Sequence, residues 1–306
     1  MSEFDEFFRD MGVPNSPQRI VMLSAFEGWN DAGQAATQAL LYLIDLYSDS
    51  AHEVGHIACA SFYDYTVTRP VMVNVEGKRK IMWPETTFTQ IDINPTLSLL
   101  IEVGPEPNFK WTDFARRSLR IAEDREVTEI ITLGSMFADC THTRPLPMYV
   151  NETTHNLADD NSYTGPIGIP SVVNYTAVEN GYTTHSMWVS LPSYTQYVDS
   201  QDNPVAMLRI LDELSTYLGV ELKRGNLPTR ALKWKAQADM LLTLNPEVKD
   251  YISRMENFYD NSQRAQNLSP DAADNLILET ERFLREHSSG DDTSDSPEKT
   301  RGEHNE

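Results

Sequence analysis

Cysteine is almost absent. Cys59 and Cys140 are the two in 306 residues, too few for a disulfide framework or a structural zinc site of their own. Cys59 lies in the apolar run "HIACASF" and reads as a small core hydrophobe in a buried strand, whereas Cys140 lies in a polar loop with no recognisable helix start or base to activate its thiol. Positive charge is scarce as well. The 25 Lys and Arg stand against 46 Asp and Glu, a formal net charge of −21, and no local basic patch offsets it, which argues against nucleic acid or an anionic membrane as the main partner. No apolar run approaches the ~20 residues of a membrane span. The acidic start "MSEFDEFFRDMG" is unlike the positive head of a signal peptide. A cytoplasmic protein is expected, with no metal and no cofactor. Walker A, GxGxxG after a strand, HExxH and GxSxG are all missing, so nucleotide or zinc-hydrolase chemistry finds no support in motifs.

A 40% hydrophobic and 9% aromatic content is that of a globular protein, and the order of patterns along the chain favours an α/β sandwich. "RIVMLSAF" is a short apolar run of the kind covered on both faces. The segment after it, "AGQAATQALLYLIDLY", carries apolar residues at helical spacing, with Asn30 or Asp31 as its natural N-cap. "GHIACASF" then reads as a second strand at the distance a parallel crossover requires. "VMVNVEGKRKIMW", about residues 71–83, alternates, turns near Gly77 and resumes, which predicts a projecting β-hairpin whose apolar residues need a partner or another face. "TTFTQIDIN", "LSLLIEVG", "EVTEIITLGSM" and "YTTHSMWVSL" read as strands. "WTDFARRSLRIAED", "SVVNYTAVENG" and "PVAMLRILDELSTYLG" read as helices, the last two closed by Gly181 and Gly219. Strand and helix alternate to about residue 225, around a largely parallel sheet. Beyond it come three helical segments, each opening with Pro, which predict a C-terminal helical subdomain over 226–287. Residues 1–18 read as an extension. The acidic, Ser-rich 288–306 cannot bury enough surface to offset chain ordering and is expected to be disordered.

In an open α/β sheet, ligands gather beyond the carboxyl ends of the strands, and three polar loops fall there. The first, "EGWND", offers Glu27, Trp29, Asn30 and Asp31 at a helix start. Capping and a tight bend explain Asn30, Asp31, Gly28 and Gly33, but leave Glu27 and Trp29 unaccounted for. Glu27 is therefore the better candidate for acid–base chemistry. The second loop holds Asp64 and Arg69, which either pair with each other or serve a ligand. The third runs from Ser135 through "THTRP" in "FADCTHTRPLPMYV", which reads as one long loop; there His142 and Arg144 offer a proton-transfer group and an anion clamp, or simply a surface His and a salt-bridged Arg. A small anionic ligand is the class such a set would take.

"FEGWNDAG", "DYTVTRP", "LGSM" followed by "THTRP", "YTGPIGIP", and "SMWVSLPSYTQ" before "PVAMLRILDEL" together resemble the actinobacterial branch of the proteasome-assembly-chaperone-like family, over about residues 19–260. The resemblance implies a three-layer α/β/α core with a parallel or mixed sheet, like that of purine nucleoside phosphorylases. It also implies a hairpin insertion that helps form an oligomer, commonly a trimer, and a helical lid over a pocket. "PSY", Pro192 to Tyr194, stands where a "PHY"-type motif is expected, so Ser193 replaces a histidine. The function implied is an oligomeric assembly-chaperone-like scaffold with a protein partner. The alternative is a hydrolase or phosphorylase-like enzyme acting on a small anionic or nucleoside-type substrate.

Overall fold

The structure, a computed structural model, describes residues 18–266 apart from 59, 154–164, 199, 201 and 245. The first strand, β1 (Arg19–Glu27), is buried from Val21 to Phe26. Its neighbours are β6 (Leu97–Pro105) and β7 (Glu129–Ala138), both parallel to it, and β7 in turn pairs in parallel with β9 (Thr183–Pro192). Outside these four, β5 (Thr86–Asn94) runs antiparallel to β6 and to β2 (His52–Ile57), and β8 (Met148–Thr153) runs antiparallel to β9. The seven-stranded order is β2-β5-β6-β1-β7-β9-β8. The sheet is thus mixed, parallel at its centre and antiparallel towards both edges.

Alternation along the central strands builds two cores, because successive side chains point to opposite faces. Val21, Leu23 and Ala25 of β1, with Leu99, Ile101, Leu133 and Val189, meet α1 (Ala35–Leu46) and α4 (Pro204–Leu218). Met22 and Phe26, with Leu100, Phe88 and Ile130, meet α2 (Trp111–Asp124) and α3 (Ile169–Glu179). Helix pairs on both faces give the three-layer α/β/α architecture. The helix α4 starts on Asn203, whose side chain accepts from Ala206 N–H at 3.0 Å, and ends at Gly219 with φ 71°, a left-handed closure suited to glycine. Beyond it α5 (Leu227–Leu244) packs along α4 and is followed by α6 (Pro246–Gln266). One compact unit runs Met1–Glu256; the second begins at Asn257, and its described part is the end of α6.

The hairpin forms as expected: β3 (Val71–Val75) pairs with β4 (Lys78–Met82) in a separate two-stranded sheet, turning at Glu76 and Gly77, both at positive φ. Three other expectations are corrected. The second strand ends at Ile57, one residue before the apolar stretch Ala58–Ala60, and lies at the sheet edge with its side chains mostly exposed, so it is neither buried nor the parallel neighbour of β1. The segment after β7 is not one long loop, because Met148–Thr153 adds an edge strand. The helix start is built differently: Asp31 lies four residues before α1 and reaches forward to it, while Asn30 faces the opposite way. Cys59, the side chains of Leu241, Leu242 and Leu244, the third C-terminal helical segment, residues 1–17 and the acidic tail lie outside the described residues.

One polar row crosses the sheet beneath α2 and α3. Ser24 stands beside Glu102 on one side and Thr132 on the other. Glu102 is fully buried, and the Ser24 hydroxyl donates to its Oε2 at 2.6 Å. Among the described residues neither its Oε1 nor the Ser118 Oγ above it is within normal hydrogen-bond geometry of a partner, and burial lifts the Glu102 pKa to about 7, against a smaller opposing pull from the Ser24 bond and the nearby Ser118 hydroxyl.

Candidate functional site

The turn after β1 is stitched to the end of β7. Ser135 N–H donates to Asn30 O at 2.9 Å, and Asp31 forms a parallel bridge with Ser135. The Asp31 carboxylate accepts from Ala36 N–H at 2.8 Å, from Thr37 N–H at 3.4 Å, from the Thr37 hydroxyl and from the Ser135 hydroxyl at 3.1 Å. Burial raises its pKa, and these four donors hold it back. Asp31 and Ser135, two of the residues the sequence singled out, are therefore brought together, and each is occupied with the other and with the start of α1.

Asn30 faces the other way. Its Nδ2 donates to Glu106 Oε1 at 2.7 Å, and the same oxygen accepts from Ile169 N–H, the first turn of α3, at 2.9 Å. A carboxylate at a helix N-terminus meets the positive end of the macrodipole. Glu106 thus clamps the turn after β1 to α3, a role that sequence reasoning missed because the residue belongs to no motif. Gly168 is required at this clamp: a Cβ there would lie 2.1 Å from Asn30 Oδ1, which is itself buried without a partner among the described residues.

Glu27 and Trp29 remain open. Trp29 is 66% exposed. Glu27 is exposed on one side, yet its partial burial and, second, the Asp31 carboxylate push its pKa above the ordinary carboxylate value. Among the described residues, no group of three His, Cys, Asp or Glu could hold a metal, and no helix is long and apolar enough to cross a membrane.

The third loop turns towards the C-terminal helices. His142 is 1% exposed; its Nδ1 lies 2.7 Å from the Tyr194 hydroxyl and its Nε2 lies 3.0 Å from Asp239 Oδ1 of α5, with Trp234 packed edge-on against the ring. Tyr251 donates to Asp139 at 2.7 Å, and Thr143 donates to Glu256 Oε1 at 2.5 Å. Arg144 pairs with that same Glu256 oxygen at 3.4 Å, which engages the guanidinium expected to clamp an anion. Cys140 is buried, donates to Ser190 O at 3.8 Å, and has its thiol pushed up to about 12, which leaves it protonated and inert near neutral pH. Tyr194, Asp239, Tyr251 and Glu256 are further residues that the sequence did not disclose. Ser193 itself is exposed.

The second loop stands apart. Asp64 Oδ1 accepts from Thr66 N–H at 2.8 Å and from the Thr66 hydroxyl at 2.6 Å, bonds that hold its carboxyl below the usual range. Its own N–H donates to Asn108 Oδ1 at 2.7 Å. Among the described residues no ion pair joins Asp64 to Arg69, so that expectation is corrected: a local Asx turn satisfies the carboxylate first. A concavity of about 500 Å³ lies elsewhere, lined by Arg116, Arg120, Asn180 and Tyr182 at the amino ends of β7 and β9.

The model of the PAC2 family matches residues 25–242. A PAC2 family protein from Streptomyces avermitilis superposes with a TM-score of 0.68 at 30% identity, covering 76% of this chain and 99% of that one. A proteasome-assembly chaperone homologue from Mycobacterium tuberculosis gives 0.65 at 28% identity, covering 76% and 99%. A Corynebacterium glutamicum protein of unknown function shares the fold, with a TM-score of 0.71 at 21% identity over 82% of this chain and 95% of its own. No curated protein matches.

Proposed function

Because the chain belongs to the PAC2 family, we propose that it works through protein contacts, as a cytoplasmic, assembly-chaperone-like scaffold whose own oligomer is a trimer. The observation that carries this reading is the β3–β4 hairpin. Val71, Met72, Val75, Ile81, Met82 and Trp83 are between 39% and 59% exposed. The pairs Val71–Met82 and Met72–Ile81 point to opposite faces of the ribbon, so both faces are apolar at its base, while Lys78, Arg79 and Lys80 charge the part nearer the turn. Apolar side chains on both faces at the base of one exposed ribbon are the mark of a surface that another chain covers, each half-exposed side chain returning about 1 kcal/mol when buried. The Mycobacterium tuberculosis relative is described as a proteasome-assembly chaperone homologue. Brought to this chain, that description supplies the kind of partner, a subunit of a larger assembly.

In this reading α5 and the first part of α6 act as a lid over the strand ends, and Glu27 and Trp29 face a small-ligand pocket beneath it. The polar residues around them, Asn30, Asp31, Ser135 and His142, hold the frame. The enzyme alternative draws on one observation, the raised pKa of Glu27, which suits an acid–base group. A Glu27→Gln variant that lost turnover of a phosphorylated or nucleoside substrate would favour it. The scaffold is tested by purifying the tagged chain from its own cells after brief cross-linking. Expected is a stoichiometric protein partner, lost when residues 71–83 are replaced by a short Gly-Ser turn that leaves the fold intact. Recovery of the same partner by both forms, or of none by the intact chain, would overturn it.

A further inference from the structure

At the opposite end of the sheet from the candidate site, the concavity of about 500 Å³ is built from the second half of α2, the turn into β7 and the turn between α3 and β9. Its floor is apolar, formed by Leu119 and Val127, both buried. One wall carries Arg116 and Arg120, one helical turn apart and so on the same face of α2. Arginines 19, 144, 209, 224 and 230 are each ion-paired. Arg120 forms no hydrogen bond or ion pair among the described residues, and Arg116 has one exposed pairing at 3.4 Å with Asp113, a contact that costs little to exchange. What sets Arg116 and Arg120 apart is that both line one concavity, so two guanidinium groups with little other engagement face the same space in a chain with a net charge of −21.

The opposite wall and one end are of different character. Asn180 spends its Nδ2 on Thr176 O at 2.7 Å, and the Thr128 hydroxyl donates to Ile20 O at 3.1 Å, which leaves acceptor oxygens on both side chains. Glu123 lies close enough to raise the Tyr182 pKa, behind the larger effect of burial. Donors thus gather on the α2 wall and acceptors opposite and at the Glu123 end. The volume is that of a small-molecule site, within the usual ~300–1,000 Å³.

We propose that this groove binds a small dianion that also carries hydroxyl or ammonium donors, its phosphate or carboxylate held by Arg116 and Arg120 and its donors facing Glu123 and Asn180. Bidentate guanidinium recognition of such oxyanions is the geometry that arginine serves best. The reading is independent of the scaffold role.

Isothermal titration of the full chain with O-phosphoserine and with glycerol 3-phosphate, at fixed ionic strength, tests it. Expected is saturable binding of at least one probe, one per chain, with a Kd at or below about 1 mM, weakened about tenfold or more in Arg120→Gln, the loss of one charge-assisted contact. Arg116→Gln serves as the second variant, and Arg209→Gln on α4, away from the groove, is expected to bind as the parent does. Glu123→Gln is expected to weaken phosphoserine relative to glycerol 3-phosphate. No saturable binding of either probe up to about 10 mM, or equal binding by the parent and both groove arginine variants, would overturn the proposal.

Discussion

Replacing Glu102 by glutamine is expected to stabilise the protein above neutral pH and to leave it nearly unchanged in mild acid. The carboxyl is fully buried in the polar row under α2 and α3, holds one hydrogen bond from Ser24, and has an Oε1 with no partner among the described residues. Burial lifts its pKa from 4.5 to about 7. Since the folded state then holds a proton that the unfolded state releases, stability falls as pH rises through this window. The contribution is fully present below pH 4.5 and is lost above about pH 7. A difference of two to three pKa units corresponds to about 3 kcal/mol. Glutamine is neutral throughout and nearly isosteric, so Glu102→Gln removes that slope. Urea unfolding followed by tryptophan fluorescence, at intervals from pH 4.5 to 8.5, gives the difference between parent and variant directly. The self-repulsion of an acidic chain cancels in that difference. Expected is a gap that opens from within about 1 kcal/mol in acid to about 3 kcal/mol in favour of the variant at the alkaline end. A gap that stays constant with pH would refute the assignment of Glu102 as a carboxyl neutral in the fold.

Asp31→Ala removes the acceptor of four bonds at the start of α1 and is expected to cost about 1–2 kcal/mol, a fall in Tm of about 3–6 °C; an unchanged Tm would contradict the capping role. His142→Phe keeps the ring's packing against Trp234 and deletes its bonds to Tyr194 and Asp239. Trypsin cleavage after Lys233 and Lys235 in α5 is then expected to quicken severalfold while the central sheet resists, as local opening requires. Equal cleavage rates would show that α5 is held by other contacts.

Much of the fold was legible where local pattern and burial agree. The hairpin turn at Glu76 and Gly77, the strands at Thr86–Asn94 and Leu97–Pro105 and the helix at Trp111–Asp124 stand where alternation, helical spacing and turn chemistry put them. The second strand was misread because apolarity in "GHIACASF" signals burial without saying how far the extended backbone continues, and it stops at Ile57. Met148–Thr153 was hidden because its side chains do not alternate cleanly, and its pairing comes from β9, more than 30 residues away. The candidate site divides in the same way. Asp31 and Ser135 could be placed at strand ends, but their bond joins residues 104 apart, and the partner of His142 lies 97 residues downstream. Glu106 carries no motif at all. Its importance comes from where α3 begins, and only the folded chain shows that.

The scaffold reading stands on the exposed hairpin, and equilibrium sedimentation of the intact chain beside a Met72→Asp/Ile81→Asp variant tests it most directly. Each substitution puts a carboxylate on one exposed hairpin face, where neither side chain contributes to the sheet core. The intact chain should sediment at micromolar concentration as one discrete oligomer, three copies, and the variant as a monomer with the parent's circular dichroism and Tm. A monomer for the intact chain, or an oligomer unaffected by the two aspartates, would contradict it.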